Sequence, residues 1–281
     1  MIGIIGSGPA GISAATYIKR ANIPVTIFTN HKSNLLKAEY IENYYGTGKI
    51  KGQNLYNHGI DNAKKLKIDI VEDSIIDIEY NNTFILNGLK SKYKCDVIIL
   101  ATGASIKRLN IPGIREFEGK GISYCTTCDG YFFKNKTIAL IGTGEYAKHE
   151  YEYLKNISDN VLLFDNENKK DIHNKQIING KIKEITGTDK VEKIILENNT
   201  EYTVDGIFIA NGYADSSILA KKIGIITKNN SIVTDEKMST NIPGIFACGD
   251  CTGSLFQISK AVYEGMVAGM SAIQFIKKIK S

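Results

Sequence analysis

"MIGIIGSGPAGISAATYIKR", residues 1–20, decides the fold. Four apolar residues after Met1 read as a buried strand, G-x-G-x-x-G follows, and a helical pattern begins at once. The glycines Gly6, Gly8 and Gly11 permit a tight turn, close backbone approach to a pyrophosphate, and tight helix–strand packing. The N-terminus of the helix then faces the anion. A strand before the glycines and a helix after them make the motif far more specific than the glycines alone. The acid expected about 20 residues further on to hold a ribose is missing, because "VTIFTN" ends in Thr29 and Asn30. That leaves the ribose contact unassigned and the pyrophosphate turn intact.

Working outward, the pattern recurs. "TIALIGTGEYAKHEYEYLK" (137–155) is again strand, glycine turn and helix, with Gly142, Gly144 and Ala147 at the key positions. "DVIILATGAS" (96–105) is a buried strand ending in Thr102 and Gly103, and "DGIFIANGY" (205–213) is its counterpart after the second unit. "NIPGIFACGDCTG" (241–253) is a further strand that runs into Gly249 and Asp250. Proline and glycine at "RLNIPG" and "NIPGIF" mark the expected crossings. The fold class is therefore α/β, with two Rossmann-like three-layer domains, the second inserted into the first. We expect 1–110 and 235–281 to form the first domain and 111–234 the second.

A chain of 281 residues with 43% apolar content suits two ordinary domains with buried cores. No apolar run is long enough to span a membrane. The apolar N-terminus lacks a basic leader and carries a glycine turn, so it reads as strand and helix of a cytoplasmic protein. The net charge of +5 is too mild for a nucleic-acid binder. Its distribution is uneven: the outer segments carry 19 basic and 13 acidic side chains, and the middle carries 16 and 17. This is either an ordinary solvated surface or a docking face for an acidic partner.

The five cysteines include a C-x-x-C in "SYCTTCDGYFF" (123–133). Cys125 and Cys128 are open to three readings: half of a zinc site, an inert pair, or a redox dithiol. Zinc needs two more ligands, and the only other pair, Cys248 and Cys251, lies far beyond the spacing of zinc ribbons. A C-x-x-C pair can close a disulfide and lower a thiol pKa. Asp129, directly after the pair, is a candidate proton donor and acceptor. Cys248, Cys251 and Cys95 read as small buried hydrophobes.

The segments "GSGPAG", "IENYYG", "ATGAS", "YCTTCDG" and "TNIPGIFACGDCTG…LFQISKAVYEG", in this order, resemble the low-molecular-weight thioredoxin reductases along essentially the whole chain. The resemblance implies FAD on the first domain, held by Gly6, Ser7, Gly8, Pro9, Ala10 and Gly11, with further contacts from Thr102, Gly103 and Gly249. It places Asn43 near the flavin, Asp250 on the ribityl chain, and Gln257 and Ile258 beside the isoalloxazine. It also implies that Cys128 faces the flavin, that Cys125 attacks the disulfide of thioredoxin, and that the protein is a homodimer.

In that family the inserted domain binds NADPH through a small-residue turn and a His-Arg-Arg strand end. Here the turn is "GTGEYA", with Glu145 and bulky Tyr146, and the strand "NVLLF" ends in Asp165, Asn166 and Glu167. Lys169 and Lys170 are the nearest compensating charges. We expect a domain that kept its fold and lost its ligand. "KAEYIENYYG", "GTGEYAKHE" and "FACGDCTG" resemble the ferredoxin-dependent flavin thioredoxin reductases, which implies reduced ferredoxin as the electron donor. The alternatives are an NADPH- or NADH-dependent reductase and a redox-sensing flavoprotein without turnover.

Overall fold

A computed structural model describes residues 1–31, 33–103, 109–124, 126–165, 177–211, 216–229, 231–253 and 255–280. The chain divides into two compact units, Met1–Ser105 with Asp215–Ser281, and Ile106–Ala214.

The first unit opens with β1 (Ile2–Ile5), α1 (Pro9–Arg20), β2 (Val25–Thr29), α2 (Gly52–Lys65) and β3 (Asp69–Glu72). An antiparallel meander follows, β4 (Ile75–Asn81), β5 (Thr83–Gly88) and β6 (Lys92–Cys95), and then β7 (Val97–Leu100). Every residue of β1, β2 and β7 is buried, as parallel strands covered on both faces must be. Pro9 opens α1, where a missing N–H costs nothing. Lys19 and Arg20 close it against the negative end of the helix dipole.

The inserted unit contains α3 (Ile114–Phe117), β8 (Ile122–Ser123), α4 (Thr126–Asp129), β9 (Ile138–Thr143), α5 (Gly144–Lys155), β10 (Val161–Asp165) and β11 (Ile177–Asn179). β12 (Ile182–Gly187), β13 (Val191–Leu196), β14 (Glu201–Thr203) and β15 (Gly206–Asn211) complete it. Its parallel sheet has the order β11-β10-β9-β15-β8, beside an antiparallel β12-β13-β14. Phe164, Ile185, Ile194 and Ile207 fill the space between the two sheets. A fully buried side chain of that size contributes roughly 1.5–3 kcal/mol, so packing rather than local propensity holds this unit.

The chain returns through α6 (Ser216–Lys222), a small hairpin β16 (Thr227–Lys228) and β17 (Ser231–Ile232), β18 (Ile245–Ala247) and the long α7 (Ile258–Lys280). β18 joins β7 in parallel and completes the order β18-β7-β1-β2-β3. The return point lies well before the expected residue 235. Its cause is α6 and the hairpin: Ala220, Ile225 and Ile232 pack with Ile5, Ile78 and Leu86 in the first unit's core. Lys222 also reaches the Ile76 carbonyl at 3.4 Å. Neither the α6 segment nor the hairpin carries a glycine–proline signal that would mark this crossing.

α7 lies against α1 through small residues. A Cβ on Gly265 would sit 2.2 Å from the Ala10 carbonyl oxygen, so the two backbones nearly touch there. This contact fixes the position of the glycine turn relative to the segment that precedes α7. Among the described residues no helix is long and apolar enough to cross a membrane.

Candidate functional site

The turn between β1 and α1 is built by close approach. Gly6 has φ +116°, and a Cβ on it would meet the Ala101 carbonyl oxygen at 2.1 Å. A Cβ on Gly11 would meet the Gly6 carbonyl oxygen at 2.0 Å. Gly8 is different. Among the described residues the only atom near its would-be Cβ is Ser33 Oγ at 3.5 Å, so the approach to the turn is open there. That approach lies at the positive end of α1, which favours an anion such as a pyrophosphate.

The other residues assigned to this site gather around the same sheet edge. Thr102 and Gly103 follow β7, and Gly249 and Asp250 follow β18, the strand beside it. Gly249 has φ +81°, and a Cβ there would collide with Ala10 Cβ at 2.8 Å. The "GDCT" turn (249–252) is locked by two residues of α7. Glu264 Oε2 accepts from the Gly249 N–H at 2.9 Å and lies 2.9 Å from the Thr252 hydroxyl. Lys260 Nζ donates to the Gly249 carbonyl at 2.9 Å and to Thr252 Oγ1 at 2.9 Å, and pairs with Glu264 at 3.1 Å.

Asp250 is held out of this lock. Its half-buried carboxylate accepts no hydrogen bond among the described residues. Burial raises its pKa above the ordinary value, Lys260 lowers it, and Glu264 raises it further. A half-buried carboxylate in that state is free to accept from a ligand's donor, and a ribityl hydroxyl is one. At the mouth of the site Asn43 Nδ2 donates to Gln257 Oε1 at 3.0 Å, one residue before Ile258 opens α7. The open turn, the carboxylate that accepts no hydrogen bond among the described residues and this amide pair fit FAD.

The Ser7 side chain faces away from this opening, into the protein. It is buried, and its hydroxyl lies 2.5 Å from Thr29 Oγ1 and 2.8 Å from Tyr56 OH. Ser7 therefore offers a ligand its backbone, not its hydroxyl. Thr29 Oγ1 also accepts from the His31 N–H at 2.9 Å, and the His31 ring lies 3.1 Å from Tyr56 OH. This hydroxyl network occupies the strand end where the ribose-binding acid is absent. Tyr56, Lys260 and Glu264 were not singled out from sequence. Their one local signal is the Lys260–Glu264 spacing of four on a helix.

Cys248 and Cys251 are fully buried. The Cys251 thiol donates to the carbonyls of Leu100 at 3.3 Å and Cys248 at 3.2 Å. Burial pushes the Cys251 thiol up to about 12 and raises Cys248 well above the ordinary value. Both are inert thiols at neutral pH.

In the inserted unit, Cys125 and the Cys128 side chain lie outside the described residues. The Asp129 carboxylate accepts from Ser123 Oγ at 2.6 Å. Thr126, between the cysteines, is buried and donates to the buried Glu150 carboxylate of α5. After Asp129 the chain presents Tyr131 and Phe132, 74% and 71% exposed, whereas Phe133 turns inward against Phe208 with ring centroids 5.6 Å apart.

The second glycine turn repeats one close approach of the first, although the left-handed glycine is Gly144 (φ +77°) here and Gly6 there. A Cβ on Gly142 would meet the Ala210 carbonyl oxygen at 2.3 Å, as Gly6 meets Ala101. The expected obstruction by Tyr146 takes another form. The residue is only 2% exposed, so its ring is packed inside the protein rather than standing free over the turn. Among the described residues nothing lies within 4 Å of a Cβ on Gly144. Asp165, at the end of β10, is buried and already engaged. The Glu145 side chain and Asn166, Glu167, Lys169 and Lys170 lie outside the described residues.

Residues 2–265 match the pyridine nucleotide-disulphide oxidoreductase family. The chain is 34% identical to a thioredoxin reductase of Buchnera aphidicola, covering 98% of this chain and 97% of the relative. It is 31% identical to one from Bacillus subtilis, covering 99% and 95%. Among solved structures it is similar to the atypical thioredoxin reductase TRi of Desulfovibrio vulgaris Hildenborough, with 32% identity, a TM-score of 0.92 and coverage of 99% and 98%. It is also similar to a ferredoxin-flavin thioredoxin reductase of Clostridium acetobutylicum, with 30% identity, a TM-score of 0.76 and the same coverage.

Proposed function

Because this chain belongs to the pyridine nucleotide-disulphide oxidoreductase family, alongside the thioredoxin reductases, we propose that it is a FAD-dependent reductase of the thioredoxin disulfide. The observation that carries the cofactor reading is the pairing of an open glycine turn with an Asp250 carboxylate that has no donor among the described residues. When bound, FAD accepts electrons from a donor and passes a pair to a disulfide. Gly6–Gly11 hold the pyrophosphate, Asp250 accepts from the ribityl chain, and Asn43, Gln257 and Ile258 border the ring. Thr102, Gly103 and Gly249 shape the floor.

Cys125 and Cys128 form the exchanging disulfide. One thiolate attacks the external disulfide and forms a mixed disulfide. The second thiol then resolves it, releasing reduced thioredoxin and closing the Cys125–Cys128 bond. Cys125 is the attacking thiol and Cys128 faces the flavin. Asp129, fixed by Ser123, exchanges the proton. The exposed Tyr131 and Phe132 give an incoming protein an apolar, aromatic landing surface directly after the dithiol.

The electron donor is a reduced ferredoxin, and the protein acts as a cytoplasmic homodimer. The missing arginines after β10, the engaged Asp165 and the basic excess of the flavin-binding segments support the donor reading. The test is thioredoxin turnover by the purified flavoprotein with each donor in turn. Flavin reduction without any thioredoxin turnover would instead favour a redox sensor.

A further inference from the structure

Glu150 is a buried carboxylate that none of these roles uses. It lies on α5, is 1% exposed, and accepts a hydrogen bond from the hydroxyl of Thr126, itself 2% exposed. Its other oxygen lies 3.4 Å from His149 Nδ1. Thr126 is the first residue of α4 and the residue that follows Cys125. The far end of the same turn is pressed onto the last turn of α5 and the residues just after it. A Cβ on Gly130 would stand 2.8 Å from Ile157 Cδ1 and 3.6 Å from Leu154 Cδ2. The C-x-x-C turn is thus fastened to α5 at both ends, by a buried polar bond at one and by close packing at the other.

We propose that Glu150 is a positioning residue of the dithiol, acting through Thr126. A buried carboxylate is costly unless it is hydrogen-bonded, so the Thr126 bond is a strong restraint on the backbone between the cysteines. A disulfide gains stability over its dithiol when the two sulfurs are held together in advance, because closing the bond then costs less chain entropy. This restraint stabilises the disulfide, and losing it moves the balance towards the dithiol.

The inference rests on Cys125 and Cys128 being the exchanging pair. The test equilibrates full-length, FAD-loaded protein against graded dithiothreitol buffers and counts alkylated Cys125 and Cys128 by mass spectrometry. Thr126→Val and Glu150→Ala should each shift the equilibrium about tenfold towards the dithiol, or about 30 mV. The double variant should add little to either. Thr126→Ser keeps the hydroxyl and should stay near wild type. Unmoved potentials in folded Thr126→Val and Glu150→Ala would overturn the proposal, and Thr126→Val alone decides it should Glu150→Ala not fold. A wild-type pair that forms no disulfide in any buffer would instead overturn the underlying assignment of the cysteines.

Discussion

Asn43 donates its side-chain N–H to the Gln257 carbonyl oxygen at 3.0 Å, across 214 positions of sequence. Both residues are exposed. A neutral hydrogen bond in water contributes at most about 0.5–1.5 kcal/mol, which is too little to explain it as a fold staple. The pair is better placed to border a ligand. Asn43→Ala and Gln257→Ala should each leave the stability of the cofactor-free protein within about 0.5 kcal/mol and raise the FAD dissociation constant several-fold. Denaturant melts of apoprotein and FAD titrations check this; equal losses in both would assign the pair to the fold.

Asp250 carries the opposite trade. Burial raises its folded pKa above the ordinary value, with Lys260 lowering it and Glu264 raising it. A carboxyl whose folded pKa is raised favours the fold in its neutral form, and that contribution is lost as pH rises through the raised value. At pH 7 the ionised group therefore burdens the cofactor-free protein. Asp250→Asn should raise the apoprotein's melting temperature at pH 7, with the gain fading as pH falls through the raised value and below the ordinary carboxylate range. The same substitution should weaken FAD binding. An Asn variant that binds FAD as well as wild type would remove Asp250 from the site.

Cys248 and Cys251 should behave as spectators. With Cys251 pushed up to about 12 and Cys248 raised well above the ordinary range, neither supplies a thiolate at pH 8. Burial pushes Cys95 up to about 12 as well. Iodoacetamide should therefore label reduced native protein at Cys125 and Cys128 and reach the other three only after unfolding. Cys248→Ala with Cys251→Ser should retain thioredoxin turnover. Native labelling of Cys248 at the rate of Cys125 would give this pair a redox role.

The exchanging thiols should divide their labour. Cys128→Ser, with Cys125 reduced, should accumulate a mixed disulfide with thioredoxin because no second thiol remains to resolve it. Cys125→Ser should not capture thioredoxin. The reverse pattern, read on non-reducing gels, would exchange the two roles.

Local repetition made the architecture legible in sequence. Residues 1–20 and 137–155 each carry strand, glycine turn and helix, and both turns use the same close approach, Gly6 to Ala101 and Gly142 to Ala210. What stayed hidden is non-local. The Lys260–Glu264 lock on the 249–252 turn, the Ser7–Thr29–Tyr56 hydroxyl cluster and the Thr126–Glu150 bond all depend on tertiary contacts that no spacing announces. The return of the chain to the first unit was misplaced for a related reason. α6 is assigned by the apolar side chains it buries, not by any break in the pattern before it.

The donor gives the widest-reaching prediction. A 2′-phosphate needs strong, bidentate cationic recognition, which arginine supplies best. This chain places Asp165 at the end of β10, buried and engaged, and follows it with Asn166 and Glu167. Negative charge there opposes NADPH. NADH escapes that objection, but Asp165 is only 5% exposed and presents little of its carboxylate to a ribose. Steric exclusion is the weaker part of the case, since Gly144 is open and Tyr146 is packed inside the protein. A reduced ferredoxin needs neither contact, only a docking face near the flavin, and charge attraction to the basic flavin-binding segments makes such docking salt-sensitive. Flavin reduction should therefore be rapid with reduced ferredoxin, should slow as salt rises from about 0.05 to 0.5 M, and should be slow with either nicotinamide cofactor. Millimolar NADPH that bleaches the flavin within seconds and sustains thioredoxin turnover would reverse the assignment. Lys169→Ala with Lys170→Ala would then show whether these two lysines form the phosphate clamp, by raising the KM for NADPH while leaving that for thioredoxin unchanged.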